Sequence, residues 1–568
     1  MASLQSRTGL LGKRHAAHLL RRATFGPTKA EILQFSQLTA SQAVSQLLTL
    51  PAKPALPIDP QTNKTWVTKG RKKGQNSSKL RLRKYLSGWW MEQILQSAQP
   101  SILHKMQFFF HTRFTTNMGQ LLSEDNYYTL ELFRQYALGS YRDLAEKMCR
   151  DNAMIIYLDT ALNKKKLPNE NFAREFLELF TIGKGPQIGP ENYTTYTEDD
   201  VRAAARLFTG WRTEHRWWDS KFHDPETGIP RGKAKTNAHD SKDKYFSDAF
   251  VSPSFASPVR IKGKKNVKGM EQELRLFVDM IFAQEATAQN IVRKLYQYFV
   301  HYQITSEVEQ DIILPLAAEL KSSNYVLKPV LQKLLESEHF YDIGNQQTAE
   351  SCVGGMIKNP LELLLGSMRF FKVSYPDPKA EPEKSMLDFY KKVVQDFLLP
   401  AYGMPLFSPK IVAGYDPFHQ EPAYNRLWAS TTTLPFRFTL GQQLVSGKKV
   451  SVPGKLLMEV DMVTLANDPG IVPDLTAPEP YTQIPGTYRG GRFADHLVRS
   501  ILEYVLPFEL SQDRFDYFLH DLLLDNLSEI NWRFEWLKFE QTGDDSSIRP
   551  QLNQLFEGIL QSPEYQLT

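Results

Sequence analysis

Residues 168–183 read PNENFAREFLELFTIG. Taken as a helix over 169–180, Phe172, Phe176, Leu179 and Phe180 fall at i, i+4, i+7 and i+8 and line one apolar face. Asn171, Arg174, Glu175 and Glu178 fall at i, i+3, i+4 and i+7 and line a second, polar stripe on the same rod. A helix this apolar elsewhere predicts burial, which would put two carboxylates, a guanidinium and an amide where water is scarce. Such charges cost several kcal/mol each unless they are paired or bound to a metal.

The same helical period recurs on both sides of this stretch. Upstream it runs over 14–25, 85–95, 102–110, 125–136 and 141–150, and Thr28 with Glu31 forms a capping-box pattern. Downstream, Thr197 with Asp200 opens a helix whose Val201, Ala204, Ala205 and Phe208 share a face, with Gly210 at its end. Further helices are predicted over 270–281, 288–301, 326–337, 360–371 and 385–398, with a last helical region from 428. Between them lie a Pro-rich linker at 51–60 and irregular stretches at 211–269, 402–415 and 467–491. Clean period-two strands are few, and no internal repeat is present. The expected class is all-α, a multi-helical globular protein with long ordered loops and little β. Three regions are expected: an N-terminal helical segment (1–60), a helical core (61–345), and a C-terminal helical region packed on it (346–568).

At 568 residues the chain exceeds what one hydrophobic core usually supports. No apolar run reaches the length of a spanning helix. Arg7, Lys13 and Arg14 interrupt the N-terminal apolar runs, so no export signal is recognised. The chain as given reads as cytoplasmic, or as periplasmic if a signal has been trimmed. Two cysteines, Cys149 and Cys352, exclude a disulfide framework and a thiolate zinc site. Net charge is only +5, but Lys64, Lys69, Arg71, Lys72, Lys73, Lys79, Arg81, Arg83 and Lys84 crowd one stretch. It reads as a solvated loop entering a helix. With no nucleic-acid module beside it, no nucleic-acid partner is expected.

Several stretches are long enough to carry a likeness. HAAHLLRRATFGPT (15–28), FFFHTRFTT (108–116), the quoted 168–183 and YTEDDVRAAARLFTGW (196–211) resemble the bacterial domain-of-unknown-function 1800 family. AHDSKDKYFSDAF (238–250), IVRKLYQYFV (291–300), MPLFSPKIVAGYDPFHQEPAYNRLW (404–428) and the SPEYQL ending are similar to it too. Many members carry a second histidine two residues after the first in the 108–116 motif. Here His111 is followed by Arg113. The resemblance implies a bacterial protein, with no activity to carry over. It also implies a neighbouring sulfatase- or phosphatase-like protein as a partner.

Three explanations compete for the polar stripe. Arg174 pairs with Glu175 or Glu178, of this or a neighbouring helix, as a structural knot. Alternatively, Glu175 and Glu178 join His111 and His239 around a divalent metal, for which Zn, Mn or Fe suits mixed imidazole and carboxylate ligands. In the third, the two glutamates act as a raised-pKa acid and an ionised base. Asp240, beside His239, would orient the imidazole. The spacing Glu-x-x-His of di-iron bundles, His-Glu-x-x-His, a phosphate loop, a dinucleotide fingerprint and Gly-x-Ser-x-Gly are all missing. His419-Gln420-Glu421 reads as a polar turn or as a reach into the same cleft. Tyr127, Tyr128, Trp217 and Trp218 read as packing or as a sugar-stacking groove.

Two functions follow as expectations. One is a hydrolase-like enzyme with Asn171, Arg174, Glu175, Glu178 and Asp240 at its site and Arg174 as clamp for an anionic or carbohydrate-type substrate. The other is a non-catalytic binding or assembly partner of the neighbouring sulfatase- or phosphatase-like protein.

Overall fold

The computed structural model describes residues 3–68, 78–342, 351–445, 458, 460–468 and 491–568. The central part of the basic stretch, including Arg71, Lys72 and Lys73, and most of the irregular stretch 467–491 lie outside the described residues.

The protein is predominantly helical. Helices α1 (Gly12–Ala23), α2 (Lys29–Ser36) and α3 (Ala40–Leu47) open the chain. Thr28 and Glu31 close their capping box, the Thr28 side chain accepting from the Glu31 amide and the Glu31 carboxylate accepting from the Thr28 amide. There follow α4 (Lys79–Leu95), α5 (Leu103–Arg113), α6 (Ser123–Gln135), α7 (Tyr141–Met148) and α8 (Asn152–Tyr157). Next come α9 (Asn171–Glu175), α10 (Glu198–Leu207), α11 (Val267–Phe282) and α12 (Glu285–Phe299). Beyond α12 the chain remains helical through segments that include Leu327–Glu336, Pro360–Phe370, Leu434–Val445 and Ile548–Gln561.

The β content is small and local. The stretch 211–269 is ordered by two short antiparallel ribbons, Trp211–Arg212 with Lys233–Ala234 and Lys244–Phe246 with Val259–Ile261. Single-turn helices lie between them. Buried apolar side chains from Leu11 to Tyr565 form one contiguous cluster that crosses all three sequence regions. No helix among the described residues is long and apolar enough to cross a membrane.

The helix that opened the sequence argument departs from its expected register. It is α-helical only over Asn171–Glu175 and continues as a π-helix over Phe176–Phe180. A π-turn closes i→i+5 bonds and is wider than an α-turn. The buried face therefore runs through Phe172, Ala173, Phe176, Leu177 and Phe180, and Leu179 is only partly buried, packing against the core from its edge beside an open cleft. Phe172 meets Phe208 edge-on at 4.7 Å, and Phe176 lies 5.8 Å from Phe277 of α11. The far end is sealed by Tyr141, whose hydroxyl donates to the Phe180 carbonyl at 2.9 Å, and by Asn290, which donates to that of Thr181 at 2.8 Å. Gly183, at φ +75°, turns the chain away against Asn290, where a Cβ would stand 3.0 Å from that side chain.

Candidate active site cleft

The polar stripe is less buried than its sequence suggests. Asn171 is exposed, and its backbone amide donates to Asn169 Oδ1 at 2.9 Å. Arg174 is committed to two acids, Glu198 at 2.7 Å and Glu170 at 3.3 Å. The pairing is made with glutamates outside the stripe rather than with Glu175 or Glu178, and it leaves Arg174 poorly suited to clamp a substrate. Glu175 is half-buried, and burial, followed by the charge of Glu178, pushes its carboxyl up to about 7. Glu178 pairs with Lys184 at 2.6 Å and accepts a hydrogen bond from the Tyr196 hydroxyl at 3.3 Å.

The histidines stand in other settings. His239 is buried, one ring nitrogen 2.8 Å from the Thr209 carbonyl and the other 3.2 Å from Glu273 Oε1. Glu273 also binds Lys244 at 2.5 Å, closing a buried knot between α11 and the 211–269 stretch. Gly210, at φ +89°, lets the chain pass close to His239, whose Cβ would lie 3.1 Å from a side chain there. Asp240 accepts from Arg206 Nε at 2.7 Å and does not touch the His239 ring. His111 is fully buried among Phe108, Phe407 and Tyr415, and neither ring nitrogen has a hydrogen-bond partner. Burial brings its pKa down to about 3, so the ring is neutral. His111, His239, Glu175 and Glu178 therefore do not form one coordination set. Among the described residues no group of three or more His, Cys, Asp or Glu side chains could hold an ion.

The aromatic residues considered for sugar stacking mostly pack. Tyr127 is buried, Trp217 is buried and donates to Asp125 at 2.8 Å, and the Tyr128 hydroxyl donates to the Val67 carbonyl. Only Trp218 is exposed.

A cleft of about 1040 Å³ does open beside Glu178. Four elements supply most of its lining. The π-turn contributes Glu178 and Leu179. Helix α12 contributes Asn290, Arg293, Lys294 and Gln297, at i, i+3, i+4 and i+7 on one face. The end of α5 contributes Thr112 and Arg113, and the loop 402–425 contributes His419 and Glu421. This loop is held on α5 by Phe418, whose ring lies 6.1 Å from Phe108, and on the turn that follows α5 by the Phe407 carbonyl, which accepts from the Met118 amide at 2.8 Å.

The cleft is cationic where it is deepest. Arg113 is 8% exposed and makes only two long hydrogen bonds, to Thr112 Oγ1 and to the Phe418 carbonyl, each 3.4 Å. Burial lowers its pKa to about 10, and no carboxylate among the described residues pairs with it. Among the described residues Lys294 has only Gln297 within hydrogen-bond reach, at 3.4 Å, and burial together with Arg113 lowers it to about 8. His419 lies 3.6 Å from Asp416, beyond hydrogen-bond range, and burial keeps its pKa below the ordinary histidine value, with Arg113 and Lys294 acting in the same direction. The other cleft cations are neutralised, Lys184 by Glu178 and Arg293 by Glu309 at 2.5 Å.

Sequence reasoning expected Glu178 in a cleft between the 171–178 helix and the His239 loop. The cleft beside Glu178 is instead lined by α12 and the loop 402–425 and by no residue of the His239 loop. The same reasoning kept His419 and Glu421 open as either turn or site. It missed Lys294 and gave Arg113 no role. The α12 residues carry the same i, i+3, i+4, i+7 signature as the 171–178 stripe, and that signal was available. The unpaired state of Arg113 was not, because it depends on a loop about 300 residues away.

Comparison with curated proteins and with solved structures finds no match. The family model described as "Protein of unknown function (DUF1800)" matches residues 18–567, nearly the whole length, and the chain belongs to that family.

Proposed function

We propose that the protein is a hydrolase-like enzyme acting on a small anionic substrate bound in the cleft between the Glu178 turn, α12 and the loop 402–425. The observation that carries this reading is Arg113, a nearly buried guanidinium without an acidic partner among the described residues, with Lys294 and His419 on the same cleft. An uncompensated buried cation is costly to hold, and a ligand anion would offset that cost. A guanidinium suits phosphate, sulfate or carboxylate through paired hydrogen bonds. Arg113 takes the clamp role first expected of Arg174. His419, neutral near pH 7, is the group placed to accept a proton from water. Glu178 borders the same space as the second proton-handling group.

The test is hydrolysis of chromogenic phosphate, sulfate and carboxylate esters by the wild type, Arg113→Met and His419→Ala. One ester class should be turned over. His419→Ala should lower the rate by about 100-fold or more, and Arg113→Met should raise KM. Binding of the free anions without turnover would favour a non-catalytic partner of a sulfatase- or phosphatase-like protein. Failure to bind phosphate, sulfate or acetate would overturn both. Near-stoichiometric Zn, Mn or Fe, lost in Glu178→Gln, would replace this proton chemistry with a metal-centred one.

A further inference from the structure

Behind the cleft lies a narrower chamber of about 30 Å³, room for roughly two waters. Arg113, Lys294 and Tyr302 border both spaces. Deeper in, the walls are apolar rings, among them Phe109, Phe418 and Trp428. Two polar side chains of the chamber lack a hydrogen-bond partner among the described residues. Asn425 is 4% exposed, and neither its carbonyl oxygen nor its amide nitrogen has a hydrogen-bond partner. The buried hydroxyl of Tyr302 is likewise unpaired. Glu362, which also touches the chamber, is committed to Lys105 and to the Asn359 amide.

A buried amide with both functions unmet destabilises the fold, and it marks a place where a complementary group belongs. The side chain of Asn425 presents a donor and an acceptor side by side. A primary carboxamide offers the matching acceptor and donor in the same plane, so the two pair through parallel hydrogen bonds. A carboxamide head is also close to the size of the chamber. A carboxylate there would meet the Asn425 oxygen with no proton between them.

The geometry points to a ligand with two ends: an anionic group held by Arg113 at the cleft, and a primary carboxamide inserted into the chamber against Asn425 and Tyr302. The chemical class is a short-chain carboxylate ending in a carboxamide. This inference rests on the anionic reading of the cleft, and adds to it the chemistry of the substrate's other end.

The test uses the full chain and three probes: succinamate, levulinate and acetate. Levulinate has the shape of succinamate, with a methyl group in place of the amide nitrogen. Acetate is the anionic end alone. Affinities are read by ligand-observed NMR titration. Succinamate should bind about 10-fold more tightly than levulinate, the discrimination expected when one buried hydrogen-bond partner is lost. Asn425→Leu should bring the succinamate-to-levulinate ratio to about one, and Asn425→Ala is the second variant should leucine misfold. Arg113→Met should weaken all three probes. Equal binding of succinamate and levulinate by the wild type, with acetate still bound, would overturn the carboxamide chamber and leave the anionic cleft standing. If none of the three binds, the carboxamide chamber falls, and the anionic cleft is then decided by phosphate and sulfate titrations of the same protein.

Discussion

Arg113 Nη2 donates to the carbonyl of Phe418 at 3.4 Å across 305 residues of sequence, and no carboxylate among the described residues completes the guanidinium's environment. The side chain is thus a desolvated cation held by two long hydrogen bonds, one to this carbonyl and one to Thr112 Oγ1. Replacing it with methionine, similar in length and apolar, should leave stability unchanged or raise it by about 1 kcal/mol. The same change should weaken anion binding at the cleft. Urea unfolding beside an anion titration checks both; a strong loss of stability would mean that Arg113 is structural.

Lys294 gives the cleft a pH dependence. Its pKa is lowered to about 8, so its positive charge is present below that value and lost above it. Anion affinity should therefore fall as pH rises from 7 to 9, by up to about 10-fold. Lys294→Met should flatten this part of the profile. A steep profile in the variant would assign the titration to another group.

Glu175 makes a separate pH prediction, about stability. Its folded pKa of about 7 lies above its unfolded value, so the native state binds its proton more tightly. Between about pH 4.5 and 7 the native state holds more protons than the unfolded state, and this contribution to stability falls as pH rises through that window. Because the side chain is half-buried, the loss should be on the order of 2 kcal/mol. Glu175→Gln should be more stable than wild type at pH 8 and nearly equal to it at pH 4.5. Parallel curves for the two proteins would show that the carboxyl is not perturbed.

Glu178 should matter little to folding. Its side chain is 23% exposed and its partner Lys184 is 43% exposed, so the pair is worth less than about 1 kcal/mol. Glu178→Gln should shift unfolding only slightly, in contrast to the sharp loss expected had the stripe been a buried knot. A large activity loss with this small shift would place Glu178 in the chemistry.

The buried knot lies instead at Glu273. Lys244 and Glu273 are 0% and 1% exposed, and His239 shares the same carboxylate. Glu273→Gln should cost about 3–5 kcal/mol, because Lys244 is left as an unpaired buried cation. Chemical denaturation measures this directly. A loss below about 1 kcal/mol would mean that water reaches the site.

What the sequence determined by itself is the helical class, the positions of most helices, and the capping boxes at Thr28 and Thr197. These follow from interactions between residues three or four apart, which local spacing encodes. Even within one helix that reading has a limit: Leu179 was expected in the core and Leu177 occupies it, because a π-turn changes the angular step. The tertiary structure alone decided which polar groups meet. His239 joins Glu273 from 34 residues away, and Arg113 meets the loop of His419 from about 300. Such pairings depend on how the core seats α5, α11, α12 and the loop 402–425 against one another. That seating is set by side-chain packing over the whole molecule, and no local period records it.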